Sequence, residues 1–148
     1  LRDVYKRQAL QALLRFHVSE ALANSPPRAS FAQDWSSLQT PDIALLAAWE
    51  GETLLGMGAL KALTATHGEI KSMRTVPAVQ RQGVGAAILS HLLDEARSRG
   101  FRRVSLETGD GDAYAAARAL YGRFGFVEGA AFAGYPVSAF NRFFHLDL

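Results

Sequence analysis

The stretch from Glu69 to Gly100 leaves this chain few folds to choose from. A strand pattern runs over Glu69–Val76 and stops at Pro77, which has no N–H to give a ladder and holds its predecessor extended. A turn follows: Gln80-Arg81-Gln82-Gly83-Val84-Gly85-Ala86. Beyond it Ile88, Leu89, Leu92, Leu93 and Ala96 recur at the spacing of one helix face, and Gly100 stands where a helix would end. A strand feeding an apolar-faced helix through a glycine turn belongs to an α/β (α+β) domain, in which the helix packs back onto a sheet.

The turn also carries a chemical implication. Gly83 and Gly85 have no Cβ, so backbone N–H groups there can come close to a bulky anion. The first N–H groups of a helix lack partners within it, and the helix dipole favours negative charge at that end. A diphosphate laid there would be held by amides, with Arg81 as a countercharge. Two common nucleotide sites are ruled out by the letters. A dinucleotide fingerprint needs a third glycine where Ile88 stands, and a P-loop needs Gly-Lys-Ser/Thr, which the chain lacks.

The letters do fit Q/R-x-x-G-x-G/A, as Gln80, Gly83 and Gly85, with a strand before, a helix after, and a further strand pattern at Arg102–Thr108. Farther on, Ala119-Leu120-Tyr121-Gly122-Arg123-Phe124-Gly125-Phe126 matches L-Y-x-x-x-G-F. With these motifs, over Ile43 to Val127, the chain resembles the GNAT superfamily of N-acetyltransferases. The resemblance implies a mixed, mostly antiparallel central sheet with a splayed parallel strand pair and helices on both faces, here with the usual first strand missing. It implies acetyl-CoA as co-substrate and no metal. Arg81, Gln82, Gly83, Val84, Gly85 and Ala86 then grip the pyrophosphate, and Met73, Arg74, Thr75 and Val76 pair with the pantetheine arm. The thioester would sit where this strand parts from Arg102–Thr108. Many relatives carry Asn at the place held here by Tyr114, so one hydrogen bond to the coenzyme is not expected.

The implied reaction is direct attack on acetyl-CoA by a primary amine in a ternary complex. The amine must shed a proton first, since a lysine-like acceptor titrates at about 10.4 and an α-amine at about 7.7–8.0. Glu69, near the start of the strand, is the first candidate base and Glu107 on the adjoining strand the second; ion-paired structural carboxylates are the competing reading. Tyr121 is placed by the resemblance beside the coenzyme sulfur, as a hydrogen-bond donor to the departing thiolate; otherwise it packs at the core edge. A non-catalytic acyl-CoA-binding sensor is the alternative function.

The rest of the chain fits one domain, residues 1–148. With 49% hydrophobic and 20% charged residues it has ordinary globular composition, and a net charge of +2 leaves no nucleic-acid footprint. Arg97, Arg99, Arg102 and Arg103 form a basic cluster, read as a solvated helix end or a contact for the 3′-phosphate. Cysteine is absent, which removes disulfides, thiolate metal sites and a Cys nucleophile. No apolar run reaches membrane-span length and the charged start is no signal peptide, so a cytoplasmic protein is expected.

Val4, Leu10, Leu13, Leu14, Val18, Ala21 and Leu22 predict an opening helix ended by Pro26-Pro27. A short helix is expected at about Phe31–Leu38, with Trp35 on the acceptor side or covering the core edge. Ile43–Glu50 and Thr53–Leu60 form a hairpin, Ala113–Phe124 a helix capped by Asp110 or Asp112, and Ser138–Leu148 a closing strand. Tyr135 is expected near the acceptor mouth. His67 reads as a solvated loop histidine outside the catalytic set, and no histidine spacing suggests a metal. The acceptor is a small-molecule or peptide amine of unspecified identity, and the resemblance allows a homodimer.

Overall fold

The computed structural model describes residues 2–27, 29–32 and 34–148, with side chains from Val4 onward. Helix α1 (Arg2–Ala23) comes first, then the hairpin β1 (Ile43–Glu50) and β2 (Thr53–Ala62). Strand β3 (His67–Thr75), helix α2 (Val84–Ser98) and strand β4 (Arg103–Gly109) follow as one crossover unit. Helix α3 (Ala115–Arg123) and strands β5 (Val127–Gly129) and β6 (Asn141–Asp147) complete the chain. The six strands order as β1-β2-β3-β4-β6-β5, and every neighbouring pair is antiparallel except β3 with β4. This is the mixed, mostly antiparallel sheet that the resemblance implies.

The parallel pair is short. Only His67, Gly68 and Glu69 register with Arg103, Val104 and Ser105. Beyond Glu69 the two strands follow different partners: β3 stays with β2 as far as Thr75, and β4 stays with β6 as far as Gly109. The sheet therefore splays between them, as expected.

Helices cover both faces. Ile88, Leu89, Leu92 and Leu93 of α2 pack on Leu60, Ile70, Val104, Leu106 and Phe144, and Tyr121 and Phe126 close the same core. On the other face Leu13 and Leu14 of α1 pack on Met57 and Ala59, with Leu38 beside them. Gly58 lets α2 approach β2: a Cβ there would lie 2.6 Å from Met73 Sδ and 2.8 Å from Ile88 Cγ2.

Strict alternation along β3 would put Lys71 and Met73 on the same face. A β-bulge interrupts it, because Lys71 pairs with Ala59 and Arg74 with Met57, leaving Ser72 and Met73 opposite Gly58 alone. Ser72 takes the left-handed conformation at φ 54°. Met73 consequently joins Ile70 on the α2 face, and Arg74 joins Lys71 on the α1 face.

Two local expectations change. Instead of a helix over Phe31–Leu38 there is a single 3-10 turn at Ser36–Leu38, where Asp34 accepts from Ser37 N and from the Ser36 hydroxyl at 2.9 Å each. Those bonds start the turn locally, and Trp35 packs at the edge of the α1 core. Neither Asp110 nor Asp112 caps α3. A 3-10 turn (Asp112–Tyr114) leads into it, and Asp110 is drawn 3.0 Å from Arg142. Three arginines of the basic cluster are ion-paired at the surface: Arg97 with Asp94, Arg99 with Glu95, Arg103 with Asp147. Among the described residues no helix is long and apolar enough to cross a membrane.

Gly58→Val should destabilise the domain by about 1–3 kcal/mol through overpacking against Met73, Ile88 and Leu92. Urea unfolding checks this, and an unchanged midpoint would contradict the close α2–β2 approach.

Candidate active site

The glycine turn forms as a short 3-10 segment, Pro77–Val79, followed by Gln80–Gly83 and then α2. Gly83 sits at the N-cap with φ 84°, has no neighbour within 4 Å of where a Cβ would be, and gives no side-chain cap. The first turn of α2 carries no acidic residue. The N-terminal amides of Val84, Gly85 and Ala86 thus meet no capping side chain, the arrangement that suits an anion. The missing side chain of Gly85 also serves packing. A Cβ there would come 3.3 Å from Leu120 and 3.7 Å from Thr75 Oγ1, so its bareness lets α3 close in.

Along β3 the expected cofactor residues are placed as follows. Met73 turns its side chain into the α2 core. Arg74 turns toward α1, where its Nε donates to His17 Nδ1 at 3.0 Å and its guanidinium lies 5.5 Å from the Phe16 ring. Thr75 faces the start of α2. Val76 already uses both backbone groups, its N–H on Leu55 O at 2.8 Å and its carbonyl on Val79 N at 3.0 Å. Ser72 Oγ, at the bulge, is buried with no hydrogen-bond partner among the described residues.

Tyr121 on α3 is 6% exposed, with its ring 5.8 Å from that of Phe126. Burial pushes its phenol up to about 12; the Arg74 charge pulls down and the Glu107 charge pushes up. Its ring is core while its hydroxyl feels the two charged groups flanking the splay, so the packing and functional readings are compatible.

Both candidate carboxylates project on the α1 face. Glu69 is 3% exposed, and its Oε2 accepts from the Tyr135 hydroxyl at 2.5 Å and from Lys71 Nζ at 3.1 Å. Lys71 also donates to the Tyr135 oxygen at 2.6 Å. Glu107, two residues past the last position at which β4 pairs with β3, accepts from Asn141 Nδ2 at 2.7 Å. The same amide donates to Ala29 O, and Ser138 donates to Asn141 Oδ1 at 2.5 Å. Burial raises Glu107 to about 7, against the pull of Asn141 and Lys71. Tyr135 lies beside Glu69 and Lys71, and burial together with Glu69 pushes its phenol upward.

A cavity of about 340 Å³ opens over this face, lined by Phe31, Leu63, Tyr135, Lys61, Lys71 and Glu69 among others. A larger one of about 410 Å³ lies between α1 and β1, lined by Lys6, Leu10, Trp35 and Ile43, and shares no residue with the carboxylate site. Among the described residues no group of three His, Asp or Glu could hold a metal.

One cluster escapes a reading of the sequence. His67 Nε2 lies 2.6 Å from Ser105 Oγ, which lies 2.7 Å from His145 Nδ1, and His145 Nε2 lies 2.7 Å from Ala130 O. A carbonyl can only accept, so for the neutral ring His145 Nε2 donates and Nδ1 accepts a hydrogen bond from the Ser105 hydroxyl. Ser105 Oγ then accepts from His67 Nε2. Burial holds His67 below its usual value, helped by Arg103 and His145 and opposed by Glu69. His67 is thus a strand residue in a polar chain rather than a solvated loop residue. Strand alternation puts Ser105 with Glu107 and His145 with Phe143, but only cross-strand register brings the three together.

With the geometry in hand, comparison with known proteins is specific. Residues 8–126 match the acetyltransferase (GNAT) family. Over 146 residues the chain is 44% identical to the uncharacterized N-acetyltransferase YedL of Escherichia coli K12, covering 99% of this chain and 92% of that one. It is 43% identical over 133 residues to the uncharacterized N-acetyltransferase YsnE of Bacillus subtilis, covering 90% and 87%. A solved structure from Klebsiella pneumoniae, named as a candidate acyl-CoA N-acyltransferase, superposes with a TM-score of 0.74 at 27% identity, covering 93% of this chain and 88% of that one.

The His17–Arg74 contact predicts acid sensitivity. Burial, then the Arg74 charge, lowers His17 from 6.5 to about 4, so the unfolded chain takes up this proton first as pH falls. Stability should therefore drop between about pH 6.5 and pH 4, by about 2–3 kcal/mol from this group. In His17→Gln that share of the acid sensitivity should vanish in urea titrations across this range, and an unchanged pH slope would refute it.

Proposed function

Because the chain belongs to the acetyltransferase (GNAT) family, we propose that it moves an acetyl group from acetyl-CoA to a primary amine by direct attack in a ternary complex. The observation that carries this reading is the splay of β3 from β4 beside the uncapped N-terminus of α2. Two features suit a diphosphate-bearing thioester there: amides with no capping side chain, and a buried Ser72 hydroxyl with no partner among the described residues. When bound, acetyl-CoA supplies the activated acetyl group and a thiol leaving group.

The chain's own residues then divide the work. Arg81, Gln82, Gly83, Val84, Gly85 and Ala86 hold the diphosphate through backbone and countercharge. Beyond Glu69 the backbone of β3 is unpaired toward β4, so Met73, Arg74 and Thr75 are the residues to take the pantetheine arm, with Val76 at its end already bonded to Leu55. Arg74 contributes backbone only, since its guanidinium is held by His17 and Phe16.

Glu107 is the better base of the two carboxylates. A base works best with a pKa near the working pH, and burial sets Glu107 at about 7. Asn141 holds one of its oxygens in place. Glu69 already has Oε2 occupied by Lys71 and Tyr135, and serves to fix that pair. Tyr121 stays protonated at any ordinary pH, and handing its proton to a thiolate of pKa about 8.5 would be uphill by about 5 kcal/mol. It therefore donates a hydrogen bond to the developing thiolate and keeps its proton until late.

Two measurements test the assignment. Tyr121→Phe should lower turnover by roughly tenfold to a thousandfold, with acetyl-CoA affinity nearly unchanged; unchanged turnover at saturating substrates removes Tyr121 from the mechanism. A base must be ionised to accept a proton, so kcat should rise as pH climbs through about 7. Glu107→Gln should abolish that limb, and a limb that persists would return the role to Glu69. A mere acyl-CoA sensor would show no turnover to lose.

A further inference from the structure

Lys61 lies across the β2–β3 pair from Glu69 and lines the cavity over the carboxylate face. Lys71 in the same lining is matched by Glu69 at 3.1 Å. Lys61 is half-buried and has no ion-pair partner among the described residues; its charge reaches Asp42 only as a weak influence. Two ammonium groups against one carboxylate leave that lining at +1. The walls are apolar: Phe31 and Tyr135 stand edge to face with ring centres 5.2 Å apart, and Ala32, Leu63 and Ala133 complete them.

A lining of this charge discriminates. A bare alkylamine arrives as a cation and is repelled, whereas an amine that also bears a carboxylate arrives with no net charge and pairs with Lys61. Resting on the acetyl-transfer reading above, we propose that the acceptor is an amine carrying a carboxylate on an apolar or aromatic body, the class of apolar amino acids and their analogues. Lys61 receives the carboxylate, Phe31 and Tyr135 flank the apolar body, and the amine is left toward the splay where Glu107 stands. Lys61 is a specificity residue, with no part in moving the acetyl group.

The experiment compares matched acceptors: phenylalanine with phenylalaninol, tyrosine with tyrosinol, leucine with leucinol. CoA release is followed, and CoA affinity is measured separately by calorimetry. The acids should be acetylated with kcat/KM at least about tenfold above their alcohols. Lys61→Met keeps the stem and removes the charge; it should erase that preference by lowering kcat/KM for the acids alone, with CoA affinity unchanged, and Lys61→Arg should restore most of it. Equal use of acids and alcohols, a preference for the alcohols, or equal losses for both in Lys61→Met would overturn the proposal. So would acetylation of simple amines with no acid accepted. If the unsubstituted protein fails to bind CoA, the acetyl-transfer reading itself falls, an outcome distinct from these.

Discussion

The parallel contact between β3 and β4 lasts three residues, and the rest of the site follows from where it stops. A strand interior to a sheet normally spends its backbone groups on both neighbours, and leaving them unmatched in a buried place costs free energy. Here β3 keeps β2 and β4 keeps β6, so the unmatched edges face one another across a wedge. The bulge at Ser72 accompanies that parting: it puts Met73 into the α2 core and swings Arg74 to α1, which anchors both sides of β3 while its free edge stays open. Glycine at position 58 belongs to the same arrangement, because any larger residue would hold α2 off the strand at the bulge.

The wedge has two unlike faces. On the α2 side the residues are aliphatic and aromatic, and the amides of the α2 N-terminus stand at its open end. On the α1 side the same strands present Lys61, Glu69, Lys71, Ser105, Glu107 and His145, nearly all engaged with one another or with the segments that cover them. Buried polar groups hold a rigid geometry only when their bonds are satisfied. Tyr135 and Asn141 supply that satisfaction from the last third of the chain, tying the covering loop and β6 to the strands that carry the carboxylates. The covering loop is thus fixed to the strands by side chains distant in sequence from the carboxylates they hold.

Much of this is legible in the linear order of residues. The strand, glycine turn and helix from Glu69 to Gly100, the hairpin and the closing strand are set by local periodicity and by proline and glycine, and these form within a few residues of where the pattern puts them. The departures have physical causes that can be named. Asp110 stands where a cap for α3 is expected, but Arg142, distant in sequence, draws it away. The helix over Phe31–Leu38 shrinks to one turn because Asp34 bonds its own neighbours. His67 reads as solvated because nothing in its vicinity along the chain hints at Ser105 or His145.

The chain's letters alone therefore determined most of the element types, the glycine turn at the head of α2 and the family, since each depends on contacts within about one turn or one strand. The upward shift of Glu107 on burial, the pairing of Glu69 with Lys71 and Tyr135, the reversal of facing at Ser72 and the unpaired Lys61 were decided only by the tertiary structure. The reason is physical: burial, strand register and the distance between charges are properties of residues brought together across the sheet, and no spacing in the sequence encodes them.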